Sequence, residues 1–232
     1  MNKFITAIKE LNFSAVTEIL EREPRWFNWQ EDTGKNALHY LGGVDISKTP
    51  EKIADSLQIL KLLLSGGMDI NSIHNIPDAN CNFPATPLWY AYTRGRNAEI
   101  YTYLLENGAN PDNCMYAIAW YDDVDAAGLF KKHGAKVDDP TAGDTPFLAA
   151  FNWKRFSTAE WFLKNGANVN FADSKGNTAL FYAVKKKFKI EQVEMLLRFG
   201  ADFNQENNEG QSAKKLAIMN KQKSLLGLFI QQ

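Results

Sequence analysis

Little in this chain invites covalent or metal chemistry. It has only two cysteines and three histidines in 232 residues, and its formal net charge is −1. Two thiols, Cys81 and Cys114, cannot build a disulfide scaffold, and the simple expectation is two free thiols in a reducing compartment. A neutral balance, 26 bases against 27 acids, does not suit a dedicated nucleic-acid binder. There is no run of 18 apolar residues, so no membrane-spanning helix is expected. The first ten residues carry Lys3, Lys9 and Glu10 and lack an unbroken signal-peptide core. HExxH, CxxC, G-x-S-x-G and both glycine-rich phosphate motifs are missing, which excludes the usual routes to metal, nucleotide or serine chemistry. These absences predict a cytoplasmic chain with no cofactor and no catalytic residues.

What the chain does have is aromatic content, 12%, far too much buryable surface for a disordered segment. It also repeats itself. One phrase ends in a glycine, a small residue, a polar residue and an extended pair. Its copies are Leu63–Asn71, Leu104–Asp112, His133–Asp138, Phe162–Asn170 and Leu196–Asn204, with glycines at 67, 108, 134, 166 and 200. A second phrase opens each unit: Gly34-Lys35-Asn36-Ala37-Leu38-His39, Ala85-Thr86-Pro87-Leu88, Gly143-Asp144-Thr145-Pro146-Phe147, Gly176-Asn177-Thr178-Ala179-Leu180, and a decayed Gly210-Gln211-Ser212-Ala213.

Physical chemistry assigns a job to each piece. Thr86 and Thr145 are N-cap residues, and Pro87 and Pro146 sit at the first helical position, where a missing N–H costs nothing. The glycine that closes the second helix stands where the chain must turn left-handed. Each unit is therefore a short helix, a turn, a longer helix and an extended finger. No unit can bury its apolar faces alone, so neighbours must stack.

The two interleaved phrases closely resemble the ankyrin repeat, over nearly the whole chain. The resemblance implies an all-α ankyrin-repeat solenoid in a single domain, 1–232. Its units are an N-terminal cap, 2–29, internal repeats 30–71, 72–112, 113–138, 139–170 and 171–205, and a C-terminal cap, 206–232. Three departures stand out. Residues 42–51 lengthen the turn inside the second unit. Residues 72–84 elaborate the lead-in to the third. The fourth unit runs from Asp112 almost directly into Cys114-Met115-Tyr116, so its finger is expected to be reduced, leaving a notch. The resemblance also implies that His39 binds neighbouring loops.

In this family the partner usually meets the fingers and the end of each first helix. The positions that match are Tyr92 and Arg94, Trp120 and Tyr121, Asn152 and Trp153, and Lys185 and Lys186. Solvent-facing Trp, Tyr and Arg are the residues that dominate interface energies. Trp26, Trp29 and Trp161 are expected in the core. Charge is segregated too: residues 99–140 carry net −5, and residues 141–200 net +4. Such a surface orients a partner more than it tightens binding.

The expected function is a non-catalytic scaffold that captures a protein partner on a concave aromatic face. Nucleic acid and membrane are not expected partners, and the unbound chain is expected to be monomeric. The competing expectation is an enzymatic or enzyme-associated role for the acidic fourth unit, Asp122, Asp123 and Asp125, whose simpler role is a solvated turn. The basic run Lys185–Lys187 with Lys189 is likewise expected to be a solvated turn. The Asn- and Lys-rich composition has a bacterial style.

Overall fold

The computed structural model describes residues 2–77, 82–138 and 143–230, so Cys81 lies outside the described residues. Helices dominate, and they come in pairs. The pairs are α1 (Lys3–Lys9) with α2 (Phe13–Arg22), α3 (Ala37–Gly42) with α4 (Ile53–Ser65), α5 (Pro87–Tyr90) with α6 (Ala98–Glu106), and α7 (Met115–Tyr121) with α8 (Val124–Lys132). They continue as α9 (Pro146–Asn152) with α10 (Phe156–Lys164), α11 (Ala179–Lys185) with α12 (Ile190–Arg198), and α13 (Ala213–Met219) with α14 (Lys223–Ile230).

The starts of the first helices follow from their caps. Thr86, Thr145, Thr178 and Ser212 each accept a hydrogen bond from the backbone N–H three residues on, and Pro87 and Pro146 take the first turn. At α3 the cap is reciprocal. The Asn36 side chain accepts from Leu38 and His39 N–H, while His39 Nδ1 accepts from Asn36 N–H at 3.2 Å. The finger glycines behave as their positions require: Gly67, Gly108, Gly134, Gly166 and Gly200 all have φ between 84° and 96°.

The chain divides into two compact units. One holds Met1–Cys114 with His133–Ala135, the other Met115–Lys132 with Lys136–Gln232. In the first, α1 packs on α3 and α3 on α5, while α2 packs on α4 and α4 on α6. In the second, α7, α9, α11 and α13 stack in order, α8 packs on α10, and α12 on α14. First helices thus bury against first helices and second against second. The fully buried Phe147, Phe151 and Phe162 contribute about 1.5–3 kcal/mol each to the second unit's core.

Asparagines tie successive fingers. Asn71 Oδ1 accepts from Asn110 N–H at 2.7 Å, and Asn170 Oδ1 from Asp202 N–H at 2.8 Å. Asp138 Oδ2 plays the same part for Asn168 N–H at 2.9 Å. His39 does what the resemblance implied. Its Nε2 lies 3.2 Å from both the Ser72 and the Ala85 carbonyl oxygens.

The departures take definite forms. The long turn of the second unit contains two 3-10 segments, Ile46–Lys48 and Pro50–Lys52. The lead-in to the third is an antiparallel hairpin, β1 (His74–Pro77) with β2 (Asn82–Ala85), so the chain is not purely helical. Between Asp112 and Met115 there is only a turn, with Asn113 at φ 68°, and no hairpin forms there. After α5 the chain makes a π turn, Ala91–Gly95, before Arg96 at φ 48°.

Candidate partner-binding surface

A left-handed residue closes the first helix in successive units: Asp122 at φ 56°, Lys154 at 62°, Lys187 at 53° and Lys221 at 53°. That shared landmark sets the register inside the second unit. Tyr121, Trp153, Lys186 and Asn220 occupy one position, and Trp120, Asn152, Lys185 and Met219 the position before it. Six of the expected site residues therefore share two rows on one stack of helices.

The aromatic members of these rows are exposed. Trp120 keeps 49% of its surface in solvent, Tyr121 40% and Trp153 39%. Trp120 and Trp153 meet edge to face, with ring centroids 5.0 Å apart and planes at 81°. The Arg155 guanidinium lies 5.8 Å from the Trp120 ring, within cation–π range. Packing against each other fixes the two indoles without taking either out of water, so the patch is formed before any partner arrives.

The basic members flank the patch. Lys186 Nζ donates to Asn152 Oδ1 at 3.1 Å and lies 4.8 Å from the Tyr182 ring centroid. Partial burial first, then Lys154 and Lys185, push the Lys186 ammonium below its usual pKa. Lys185 lies over Phe181 at 5.6 Å. Lys185, Lys186, Lys187 and Lys189 are all exposed, as expected of a solvated turn, and the ammonium groups of Lys185 and Lys186 lie over aromatic rings. Tyr182 is itself held, its hydroxyl donating to Asp173 Oδ2 at 2.5 Å.

Several expectations need correction. Tyr92 is 5% exposed and packs edge-on against Tyr101, so it does not face solvent. It stands at the same offset from its cap as Phe151 and Val184, and both of those are core residues. Arg94 is exposed but belongs to the first unit, with its guanidinium 5.9 Å from the Trp89 ring. The acidic cluster is not a solvated turn. Asp122 Oδ1 accepts from both the backbone N–H and the hydroxyl of Thr158, at 2.8 and 2.9 Å, and Asp123 Oδ1 accepts from Ala126 N–H at 2.9 Å. Trp26, Trp29 and Trp161 are half-buried, not core. Trp26 stacks on Phe4 at 5.3 Å, and Trp161 lies edge-on to Phe162 at 5.4 Å.

Two features escaped the sequence reading. Ile218 and Met219 are 56% and 67% exposed at the end of α13, so the C-terminal unit presents apolar surface and not a wholly polar cap. Their distance from the Ser212 cap is the signal that could have found them. The other is a cleft in the first unit, lined by Lys9, Lys35, Tyr40, Tyr90 and Arg94, with a volume of about 500 Å³. Among the described residues no group of three His, Cys, Asp or Glu is placed to hold a metal ion, and no helix is long and apolar enough to cross a membrane.

Stacked helix pairs joined by hydrogen-bonded fingers define a repeat solenoid. Comparison with known proteins agrees. The family described as ankyrin repeats (3 copies) matches residues 114–207 and 147–232, and the single ankyrin repeat matches 85–116. The chain belongs to the ankyrin-repeat family, whose members generally mediate protein–protein interaction.

It is 29% identical over 108 residues to an ankyrin repeat protein of Rickettsia bellii (strain RML369-C), covering 47% of this chain and 45% of that one. The chain thus spans less than half the length of that relative. Among solved structures, the ankyrin repeat domain of Bcl-3 matches with a TM-score of 0.71 at 18% identity, covering 93% of each chain. The human ASB11 ankyrin repeat domain matches with a TM-score of 0.68 at 21% identity, over 93% of this chain and 91% of that one. At such identities the likeness concerns the fold.

Proposed function

We propose that this chain is a non-catalytic scaffold whose protein partner anchors on Trp120 and Trp153, with Tyr121 and Asn152 beside them and Lys185 and Lys186 at the rim. The observation that carries this is the edge-to-face indole pair, left 49% and 39% exposed. Fixed, exposed tryptophans are suited to fill a partner's pocket at little entropic cost. The lysine rim suits carboxylates on the partner and sets the rate of encounter more than its strength. Catalysis by the acidic fourth unit has no such support, because Asp122 and Asp123 are engaged in holding Thr158 and the start of α8.

The test begins with a pull-down from the native cell and mass spectrometry of what is retained. Against that partner, Trp153→Ala should weaken binding by about 2 kcal/mol or more in calorimetry. Lys185→Glu should mainly slow association and reduce its salt dependence in stopped-flow. Circular dichroism confirms that each variant folds. A Trp153→Ala protein that folds and binds like the parent would place the interface elsewhere.

A further inference from the structure

The cleft in the first unit gathers positive charge without neutralising it. Three successive repeats contribute: Lys9 from the end of α1, Lys35 from just before α3, and Arg94 from the π turn after α5. Lys35 Nζ lies 4.3 Å from the centroid of the Tyr40 ring and 5.5 Å from that of Tyr90. Lys9 Nζ shares the Tyr40 ring, at 4.9 Å. Two ammonium groups on one ring repel each other, yet among the described residues none of the three cations makes an ion pair within 4.0 Å.

One carboxylate acts on the cluster and is already engaged. Glu31 accepts the hydroxyl hydrogen of Tyr40, and its charge favours the Lys35 ammonium more than either Lys9 or Arg94 alone opposes it. Burial, followed by Lys9 and Arg94, holds the Lys35 ammonium below its usual pKa. A half-buried lysine kept near two other cations is an electrostatic cost to the folded chain, which a bound anion would relieve. Counting Lys9, Lys35 and Arg94 against Glu31 leaves two positive charges. A phosphoryl dianion balances them, whereas a single carboxylate leaves one uncompensated. The cavity, about 500 Å³, exceeds what a bare inorganic anion fills, and its remaining wall is aromatic, from Tyr40 and Tyr90.

We propose that this cleft is a binding site for a phosphate monoester, with the phosphoryl oxygens on Lys9, Lys35 and Arg94 and the organic part against Tyr40 and Tyr90. The cleft belongs to the first unit and the tryptophan patch to the second, and neither reading depends on the other. The ester could be carried on a protein side chain or be a free metabolite, since both offer the same group.

Titration of the full chain with O-phospho-L-tyrosine and O-phospho-L-serine, followed by calorimetry and phosphorus-31 NMR, tests it. At least one of the two should bind saturably, and its affinity should fall as sodium chloride is raised. Lys35→Met and Arg94→Gln should each weaken that binding about tenfold or more, the loss expected for one charge-assisted contact. Lys61→Gln, which changes a lysine lying over Tyr103 and outside the cleft, should leave it unchanged. A phosphopeptide carrying the same residue separates the sources. Tighter binding than the free amino acid identifies a phosphorylated protein, and no gain identifies a small metabolite; either upholds the site. The proposal fails if neither phosphoamino acid saturates, if inorganic phosphate or a glutamate-containing peptide binds as tightly, or if folded Lys35→Met binds like the parent.

Discussion

Acidification should destabilise this protein through His39 before its exposed carboxylates matter. The side chain has no solvent-exposed surface, and desolvation holds its pKa down to about 4, with the His74 ring and Lys35 adding repulsion against the pull of the Ala85 and Ser72 carbonyls. In the unfolded chain the same group titrates near 6.5. Above that value both states carry neutral imidazole and the residue contributes no pH dependence. Between pH 6.5 and 4 the unfolded state takes up a proton that the folded state refuses, so stability drops as pH falls and levels off below 4. The gap between 6.5 and about 4 corresponds to a loss of about 3 kcal/mol at the acid end. Urea midpoints measured from pH 7.5 to 4.5 should decline accordingly, and His39→Gln should flatten the decline while lowering stability at pH 7.5, because it removes the bridge to the two carbonyls. The ring signals of His39 read the cause directly by NMR. A His39 resonance that titrates between pH 6 and 7 in the folded protein would refute the reasoning.

Three further outcomes follow from local geometry. Gly128 is exposed within α8, with open space where a Cβ would stand, so Gly128→Ala should stabilise the protein by about 1 kcal/mol and raise Tm by about 2–4 °C in a thermal melt. Gly95 has the opposite surroundings: an added Cβ would fall 2.1 Å from the Gly42 carbonyl oxygen, so Gly95→Ala should cost about 1–3 kcal/mol by urea denaturation. Cys114 is fully buried and its thiol is pushed far above the ordinary range by burial, so a thiol reagent should label it only as fast as the protein opens, and rapidly in urea.

The periodic part of the fold was readable because it is local. A cap such as Thr145, a proline at the next position and a left-handed glycine such as Gly166 act within a few residues of themselves, and each does in space what its chemistry requires. The exposed tryptophans were readable for the same reason, being at a fixed distance from a recognisable cap. Features that depend on more than one repeat were not. Asp122 looked like a free acid because its partner, Thr158, stands 36 residues away. Lys9 and Lys35 are each unremarkable in sequence, and their nearness to Arg94 appears only when three repeats stack. Tyr92 does not face outward like the other aromatics near the ends of first helices, because its offset from the Thr86 cap is that of the buried Phe151 and Val184.

The π turn at Ala91–Gly95 also shifts the register of the third repeat. From cap to left-handed residue the third repeat takes ten steps along the chain, Thr86 to Arg96, where Thr145 to Lys154, Thr178 to Lys187 and Ser212 to Lys221 take nine. The surplus residue is taken up by widening a helical turn, not by lengthening a loop. Column-by-column alignment of the repeats therefore slips at this point, and a residue such as Arg94 inherits the wrong counterpart.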